Sequence, residues 1–261
     1  MDETPRESVM AWQFLRRHFV RITAIACLLV ALFGAVLVVM QYQREKRIAG
    51  EIESHGGRVE FVYGGPNWIP QSVSDRLPFL DRIDAVYLDY LLEEAASMEL
   101  LSELELLTNL TFLKLEDTPV TNAGLERLTG LTNLDNLILN NTQVTDDGLE
   151  HLKGLTNLIN LSLDNTQVTG AGLEYLKGLT NLQNLHLNNT QVTDAGLEHL
   201  KGLTDLKRLQ LDNTQVTDAG LEHLKGLTNL KWFDLVNTQV TAEGRATLRK
   251  ALPNCKIEPN P

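Results

Sequence analysis

The chain has 261 residues, of which 43% are hydrophobic and 22% charged, and its formal net charge is −11. Such an acidic chain lacks the basic surface that a general nucleic-acid binder uses to neutralise phosphates, so nucleic acid is not an expected partner. The two cysteines, Cys27 and Cys255, are too few and too widely spaced for a disulfide scaffold or for a zinc module of the four-cysteine or two-cysteine, two-histidine type.

The first predicted element is a membrane span. Ile22 to Met40 forms a run of 19 residues without a charge, and a helix of that length covers about 28 Å, close to the hydrocarbon thickness of a bilayer. A cleaved signal peptide has a shorter apolar region followed by small residues, whereas Gln41 and Tyr42 follow here. We therefore expect an uncleaved single-pass anchor over residues 22–40, preceded by a basic segment, residues 1–21.

The orientation of this span depends on the flanking charges. Three Lys or Arg residues lie close to each end of the span, so the positive-inside rule nearly ties, and Arg6 with the N-terminal amine favours a cytoplasmic N-terminus. Residues 1–47 carry seven Lys/Arg and four Asp/Glu, and residues 48–261 carry 16 and 30. The sequence thus predicts a basic stem and an acidic, extracytoplasmic domain.

A juxtamembrane cap is expected over residues 41–79. The residues from Gln41 to His55 are predicted to form a charged helix that continues the span, with Ile48 and Ile52 on one face, and to end at Gly56. A strand follows at 59–63, and Trp68 with Ile69 are expected to cover the open end of the next domain. Residues 80–106 resemble a divergent first coil of a repeat.

The main domain is a tandem repeat. Over residues 107–251 a unit of 24 residues occurs six times without an insertion, and the copy at 179–202 reads LTNLQNLHLNNTQVTDAGLEHLKG. A fixed period of 20–29 residues with an L-x-x-L-x-L core is the signature of a leucine-rich repeat solenoid. Residues 252–261 are predicted to form a C-terminal half coil or tail, in which Cys255 is a small buried hydrophobe.

Each coil can be interpreted physically. Leu185 and Leu187 alternate with polar residues, which predicts a short strand, and Thr193 is placed to cap a helical turn that stops at Gly202. Stacked strands would form a parallel sheet of six or seven members. Two threonine columns are interpreted as structural, one that carries the caps and one that binds backbone groups from coil to coil; the latter is Thr118, Thr142, Thr166, Thr190, Thr214 and Thr238.

The repeat also resembles a known family. The phrase NTQVTDAGLEHLKGLTNL is similar to the repeats of bacterial, membrane-anchored leucine-rich repeat proteins and to the VTDxGL repeats of internalin-like and F-box-associated proteins. The resemblance implies a right-handed α/β horseshoe with a parallel concave sheet that is used for protein–protein interaction. The F-box adaptor role requires a helix cluster that residues 41–80 do not supply.

Candidate binding residues lie on the outward positions of the strands. These positions vary from copy to copy while the frame residues hardly change, a pattern that neutral drift would also give. Large aromatic and Arg side chains are favoured interface anchors, so Trp232 beside Arg208 is the strongest candidate. The predicted partner-binding residues on the concave face are Phe112, Lys114, Ile138, His186, Arg208, Gln210, Trp232 and Asp234.

No motif indicates catalysis, a cofactor or a metal. His151, His199 and His223 share one repeat position, and duplication of the repeat explains their spacing without a metal site. The function that we expect is a membrane-anchored leucine-rich repeat protein with a protein partner on its concave face. Two alternatives stay open: an envelope carbohydrate binder that uses the Asn and Asp columns, and a structural spacer without a specific ligand.

Overall fold

A computed structural model of the chain describes residues 5–64, 81–88 and 100–258. Within these ranges, residues 5–46 belong to one compact unit, and residues 47–62 with 82–258 belong to a second. The predicted end cover of Trp68 and Ile69, and residues 80 and 89–99 of the predicted first coil, lie outside the described residues.

The first unit consists largely of one helix. Helix α1 extends over Pro5–Ser54, continuing into the second unit. Its segment Leu28–Ser54 is long and apolar enough to cross a membrane, a test that a signal sequence near the N-terminus also passes. Leu29, Val30 and Phe33 are 60%, 72% and 65% exposed, so the described part of the chain does not cover them.

The last turns of α1 belong to the second unit and cap its core. Ile48 and Ile52 are fully buried there, which confirms the predicted apolar face. Arg47 donates to the Glu103 carboxylate at 2.7 Å. The helix ends before Gly56, whose φ of +85° lies in the left-handed region that glycine adopts without steric cost.

The second unit is built on one sheet of nine strands in chain order. Strands β2 to β9 pair in parallel, and across the six regular copies each residue pairs with the one 24 positions ahead. The sheet is larger than expected because residues before and after the repeats add strands. The strands are β1 Arg58–Tyr63, β2 Asp81–Tyr87, β3 Phe112–Lys114, β4 Asn136–Ile138, β5 Asn160–Ser162, β6 Asn184–His186, β7 Arg208–Gln210, β8 Trp232–Asp234 and β9 Lys256–Glu258.

The core lies between the sheet and a row of short helical turns on the opposite, convex side. In the copy at 179–202, Leu185 and Leu187 have zero exposure, as their alternation predicts. Each coil stacks its apolar residues on those of the next, so a coil buries its apolar surface only within the stack. The convex turns are Asn122–Glu126, Asp146–Leu149, Glu150–Leu152, Gly172–Leu176, Asp194–Leu197, Glu198–Leu200, Asp218–Leu221 and Glu222–Leu224, and a longer helix, Ala242–Ala251, follows them.

The two threonine columns are structural, but one of them differs from the expectation. The Thr190 hydroxyl is buried and donates to the Leu187 carbonyl of its own coil at 2.6 Å, and the equivalent threonines do the same. The prediction that this column forms hydrogen bonds from coil to coil is therefore wrong, because each hydroxyl donates to the carbonyl three residues earlier in its own coil. In the capping column, Thr217 and Thr241 accept from the first turn of their helices, whereas Thr193 does not.

One residue of each coil adopts the left-handed conformation at the end of the strand. Asn165, Asn189 and Asn213 have φ between 57° and 59°. Asn is the non-glycine residue that tolerates this region best, since its short polar side chain hydrogen-bonds locally. The recurrent NNT and DNT tripeptides therefore mark a tight turn that leads the chain away from the sheet.

Candidate functional site: the concave face

We define the concave face by three columns of side chains, two on strands β3 to β8 and one at the position two residues after the end of each strand. The strand pairing places the side chains in register from coil to coil, as the 24-residue period predicts. The first column is Phe112, Asn136, Asn160, Asn184, Arg208 and Trp232; the second is Lys114, Ile138, Ser162, His186, Gln210 and Asp234; the third is Glu116, Asn140, Asp164, Asn188, Asp212 and Val236.

The predicted pair Arg208 and Trp232 lies together at the C-terminal end of this face. The two residues are partners in the register of β7 and β8, and the guanidinium carbon of Arg208 is 5.3 Å from the centroid of the indole, within the range of a cation–π contact. Trp232 is 45% exposed, whereas its neighbour Phe233 is fully buried in the core. Val236, two residues after the end of this strand, is 39% exposed.

A second aromatic group lies at the N-terminal end. The ring centroids of Tyr87 and Phe112 are 4.9 Å apart, and the guanidinium of Arg58 lies 4.1 Å from the Tyr87 centroid. Phe112 was predicted as an outward residue, but Tyr87 and Arg58 were not. Val86 and Leu88 match the two buried leucines of each regular strand, and this match places Tyr87 in the second column, beside Lys114. The outward position of Tyr87 could therefore have been predicted from the sequence.

The asparagines of the first column bond to each other. The Asn160 amide donates to the Asn136 side-chain oxygen, and the Asn184 amide donates to that of Asn160. The ladder continues at one end, where Asn136 donates to the Asp135 carboxylate. These amides therefore satisfy much of their hydrogen-bonding capacity within the protein.

The third column binds the backbone of the next coil. Asp164 accepts the backbone N–H of Asn188 at 2.7 Å, Asn188 accepts that of Asp212 at 2.9 Å, and Asp212 accepts that of Val236 at 2.7 Å. Burial raises the pKa of Asp212, despite the bond from Val236. The ladder from coil to coil that the sequence assigned to threonine is thus made by this Asn and Asp column.

Between the two aromatic ends, the face forms a shallow groove of about 420 Å³. Ile138 and His186 lie in its lining, and Arg208 bounds it toward the C-terminal end. Burial lowers the pKa of His186 below its ordinary value of 6.5, against the opposing effect of Asp164. The remaining lining residues are Glu116, Asn136, Leu137, Asn140, Asn160, Leu161, Ser162 and Asn184.

The other predicted site residues form local polar pairs. Lys114 lies 2.9 Å from the Glu116 carboxylate, and this hydrogen bond lowers the pKa of Glu116. Gln210 donates to Asp234 at 2.8 Å. All eight predicted residues therefore lie in the outward columns, but Trp232 is the only one whose side chain is exposed rather than half-buried.

The convex histidines lie away from this face, on the short turns. His151, His199 and His223 belong to the segments of sequence EHL. Within residues 5–64, 81–88 and 100–258, no group of three or more His, Cys, Asp or Glu side chains is placed to hold a metal ion. Cys255 is 8% exposed, and its burial raises the pKa of the thiol to about 11, so it packs as a hydrophobe.

Comparisons with known proteins agree with this architecture. Residues 180–226 match the family model described as leucine-rich repeats in two copies, and no curated protein matches the chain. Internalin C2 from Listeria monocytogenes is 26% identical, with a TM-score of 0.54 over 80% of this chain and 92% of that chain.

Two further solved structures are more distant. A leucine-rich repeat protein of Leptospira interrogans is 25% identical, with a TM-score of 0.47 over 60% of this chain and 45% of that chain. Internalin F from L. monocytogenes is 20% identical, with a TM-score of 0.42 over 66% of this chain and 65% of that chain. The chain thus spans less than half of the Leptospira protein and just under two thirds of internalin F. The repeats, the parallel sheet and the likeness to internalin C2 give this chain an α/β leucine-rich repeat fold, similar to that of internalin C2.

Proposed function

We propose that this protein is a membrane-anchored, non-enzymatic recognition protein that binds a protein partner on its concave face. The observation that carries the proposal is the exposed indole of Trp232, 45% accessible, with the Arg208 guanidinium 5.3 Å from its centroid. An aromatic ring held in place by a cation is already ordered before binding, so its burial by a partner costs little side-chain entropy.

The position of the two aromatic groups suggests how a partner would lie. Tyr87 on β2 and Trp232 on β8 are separated by six strand steps, or roughly 29 Å at the spacing of a parallel sheet. That span is comparable to one side of a standard protein–protein interface. A partner that contacts both groups would cover the groove between them and exclude water from its polar floor.

The alternative of a carbohydrate ligand finds less support on this face. A glycan is bound by amide and carboxylate groups that are free to pair with its hydroxyls. The amides of Asn160 and Asn184 are instead bonded along their own column, and Asp164 and Asp212 hold backbone N–H groups. The hydrogen-bonding groups of the groove therefore mainly stabilise the stack.

Proximity cross-linking in native membranes tests the proposed surface. We expect the wild-type chain to cross-link a discrete protein, and the Trp232→Ala/Arg208→Ala variant to lose that product with an unchanged unfolding temperature. The matched control is Lys177→Ala/Glu174→Ala, which removes an exposed convex ion pair of 3.0 Å and should leave cross-linking intact. Unchanged cross-linking in the concave variant would rule out this face.

A glycan array against the full chain in detergent tests the carbohydrate alternative, and specific binding to one glycan class would replace our proposal. If no concave substitution changes the result of either assay, a structural spacer without a specific ligand is favoured instead.

We propose further that α1 anchors the chain and that the repeat domain lies outside the cytoplasm. The exposed apolar side chains of Leu29, Val30 and Phe33 support an anchor, since nothing in the described protein covers them and lipid would. A reporter fused after Pro261, active only on the extracytoplasmic side, tests the orientation. An N-terminus of the mature chain downstream of Met40 would show that the segment is removed as a signal sequence.

A further inference from the structure

Two cations flank Trp232 at the C-terminal end of the concave face, and two more stand next to Arg208 and Trp232 in the chain. Arg208 and Lys256 are the register partners of Trp232 on its two neighbouring strands. Lys207 and Lys231 directly precede Arg208 and Trp232 in the chain, and both are exposed. We call Lys207, Arg208, Lys231 and Lys256 the basic rim. Its presence contrasts with residues 48–261 as a whole, which carry 16 Lys/Arg against 30 Asp/Glu.

Most of the rim charge is not neutralised within the protein. Over the described ranges, neither Arg208 nor Lys231 has a carboxylate within ion-pair distance, and Lys207 donates to the neutral Gln183 amide at 2.8 Å. Lys256 pairs with Glu258 at 2.8 Å, but that lysine side chain is 63% exposed, and a pair of this kind contributes little and can exchange partners.

The second column provides the opposite charge on the other side of Trp232. Asp234 and Glu258 are register partners on β8 and β9, and Asp234 is held by Gln210 at 2.8 Å. A ligand carboxylate is therefore attracted to the rim side of the indole and repelled from the Asp234 side. This charge asymmetry favours an anionic ligand and favours its position over the first column, away from Asp234.

We propose that the basic rim and Trp232 bind an acidic helical segment of the protein partner, in which an apolar side chain lies between two carboxylates. Neighbouring strands are about 4.8 Å apart, so Arg208, Trp232 and Lys256 present cation, indole and cation at nearly the interval of one helical turn, about 5.4 Å. Residues i, i+3 or i+4, and i+7 of a helix match that interval. Alternate residues of an extended chain, about 7 Å apart, do not.

The inference rests on the proposed function and adds the chemistry of the partner to it. The test is selection from a random peptide phage library against the full-length chain immobilised in detergent micelles. We expect the enriched peptides to share Asp or Glu at i and i+7 with an aromatic or aliphatic residue between them. Their binding should weaken as salt is raised, because the rim charges lie at an exposed site.

Variants of the chain make the result specific to the rim. We expect Trp232→Ala and Arg208→Glu each to reduce binding of the enriched peptides about tenfold or more, the effect of one lost contact of about 1.4 kcal/mol. Lys231→Glu should act in the same direction without touching the cation–π contact. The control is Lys177→Glu, which makes the same charge change on the convex side, where that lysine pairs with Glu174, and should bind as the wild type does.

Three results would overturn the inference: enriched peptides that are basic or uncharged, equal binding by Arg208→Glu and Lys177→Glu, or no specific enrichment. These results are separate from a failure of the proposed function. Cross-linking that depends on Trp232 and Arg208 would still support a partner on the concave face, with a chemistry other than an acidic helix. Loss of that dependence would remove the face itself.

Discussion

The carboxylate of Asp194 joins two successive coils through Thr217. Its Oδ1 accepts the Thr217 backbone N–H at 2.8 Å, and its Oδ2 accepts the Thr217 hydroxyl at 2.6 Å. The same hydroxyl in turn accepts the N–H of Ala219 in the first turn of the next convex helix. Asp218 makes the same two hydrogen bonds to Thr241. The aspartates of the Val-Thr-Asp motif therefore link one coil to the next on the convex side.

Replacing Asp194 by Ala should therefore destabilise the stack. Two hydrogen bonds to a charged acceptor are lost at a half-buried site, and we expect a cost of about 1–3 kcal/mol in the free energy of unfolding. The measurement is urea unfolding of the full chain in detergent. Asp147→Ala is the control, since Asp147 occupies the same kind of turn but is exposed; equal stability of the two variants would contradict the structural role of Asp194.

Gly196 should not tolerate a side chain, whereas Gly202 in the same copy should. A methyl group at Gly196 would overlap the Cα of Gly170, which stands where four of the other coils have Asp or Asn and the last has Ala242. A methyl group at Gly202 has no atom within 4 Å. Because the obstacle is backbone, we expect Gly196→Ala to lower stability by about 1–3 kcal/mol. Gly202→Ala should be neutral or stabilising. The measurement is the unfolding temperature of both variants. An unchanged unfolding temperature for Gly196→Ala would contradict the close contact between Gly196 and the Gly170 backbone.

The left-handed turn at Asn189 predicts an unusual order of substitutions. Asn189 is exposed, with φ of 57°, so replacements there act through the backbone. A β-branched residue is strained in this region, and Asn189→Val should cost about 1–2 kcal/mol, whereas Asn189→Gly should be tolerated. Denaturant midpoints of the two variants are the measurement. A Gly variant less stable than the Val variant would argue against the conformation.

The half-buried His186 predicts a pH dependence of stability. Since burial lowers its pKa below 6.5, the unfolded chain takes up a proton at higher pH than the folded chain does. Its contribution to stability is thus complete above pH 6.5 and is lost as the pH falls from there toward the folded pKa. The imidazole titration followed by NMR should have its midpoint below 6.5, and His186→Gln should lose less stability between pH 7.5 and 5.5. A midpoint at or above 6.5 would contradict the burial argument.

Much of the repeat domain could be predicted from the residue pattern. The 24-residue period determined which side chains face inward, because a solenoid repeats one geometry, and Leu185 and Leu187 are buried as expected. The same period placed Arg208 beside Trp232, since parallel strands in register bring equivalent positions together. Ile48 and Ile52 were predicted on one helix face from their spacing alone.

The partners of the polar side chains were decided only in three dimensions. A threonine hydroxyl can bond within its own coil or to a neighbouring coil. The hydroxyl of Thr190 donates to the carbonyl three residues back, whereas that of Thr217 donates to Asp194 of the preceding coil. The ninth strand, β9, arises because the chain after Pro253 continues the sheet, a choice that depends on the free edge offered by β8.

At the site, strand alternation and the 24-residue period were enough to predict which side chains form the concave columns and which chemical groups those side chains carry. The tertiary structure decided which of those groups are engaged and which are available. It joined the asparagines into a ladder, brought Arg58 onto Tyr87 from a distant segment, and left the indole of Trp232 exposed while Phe233 is buried. Such relations depend on distances between coils, and a linear pattern does not contain them.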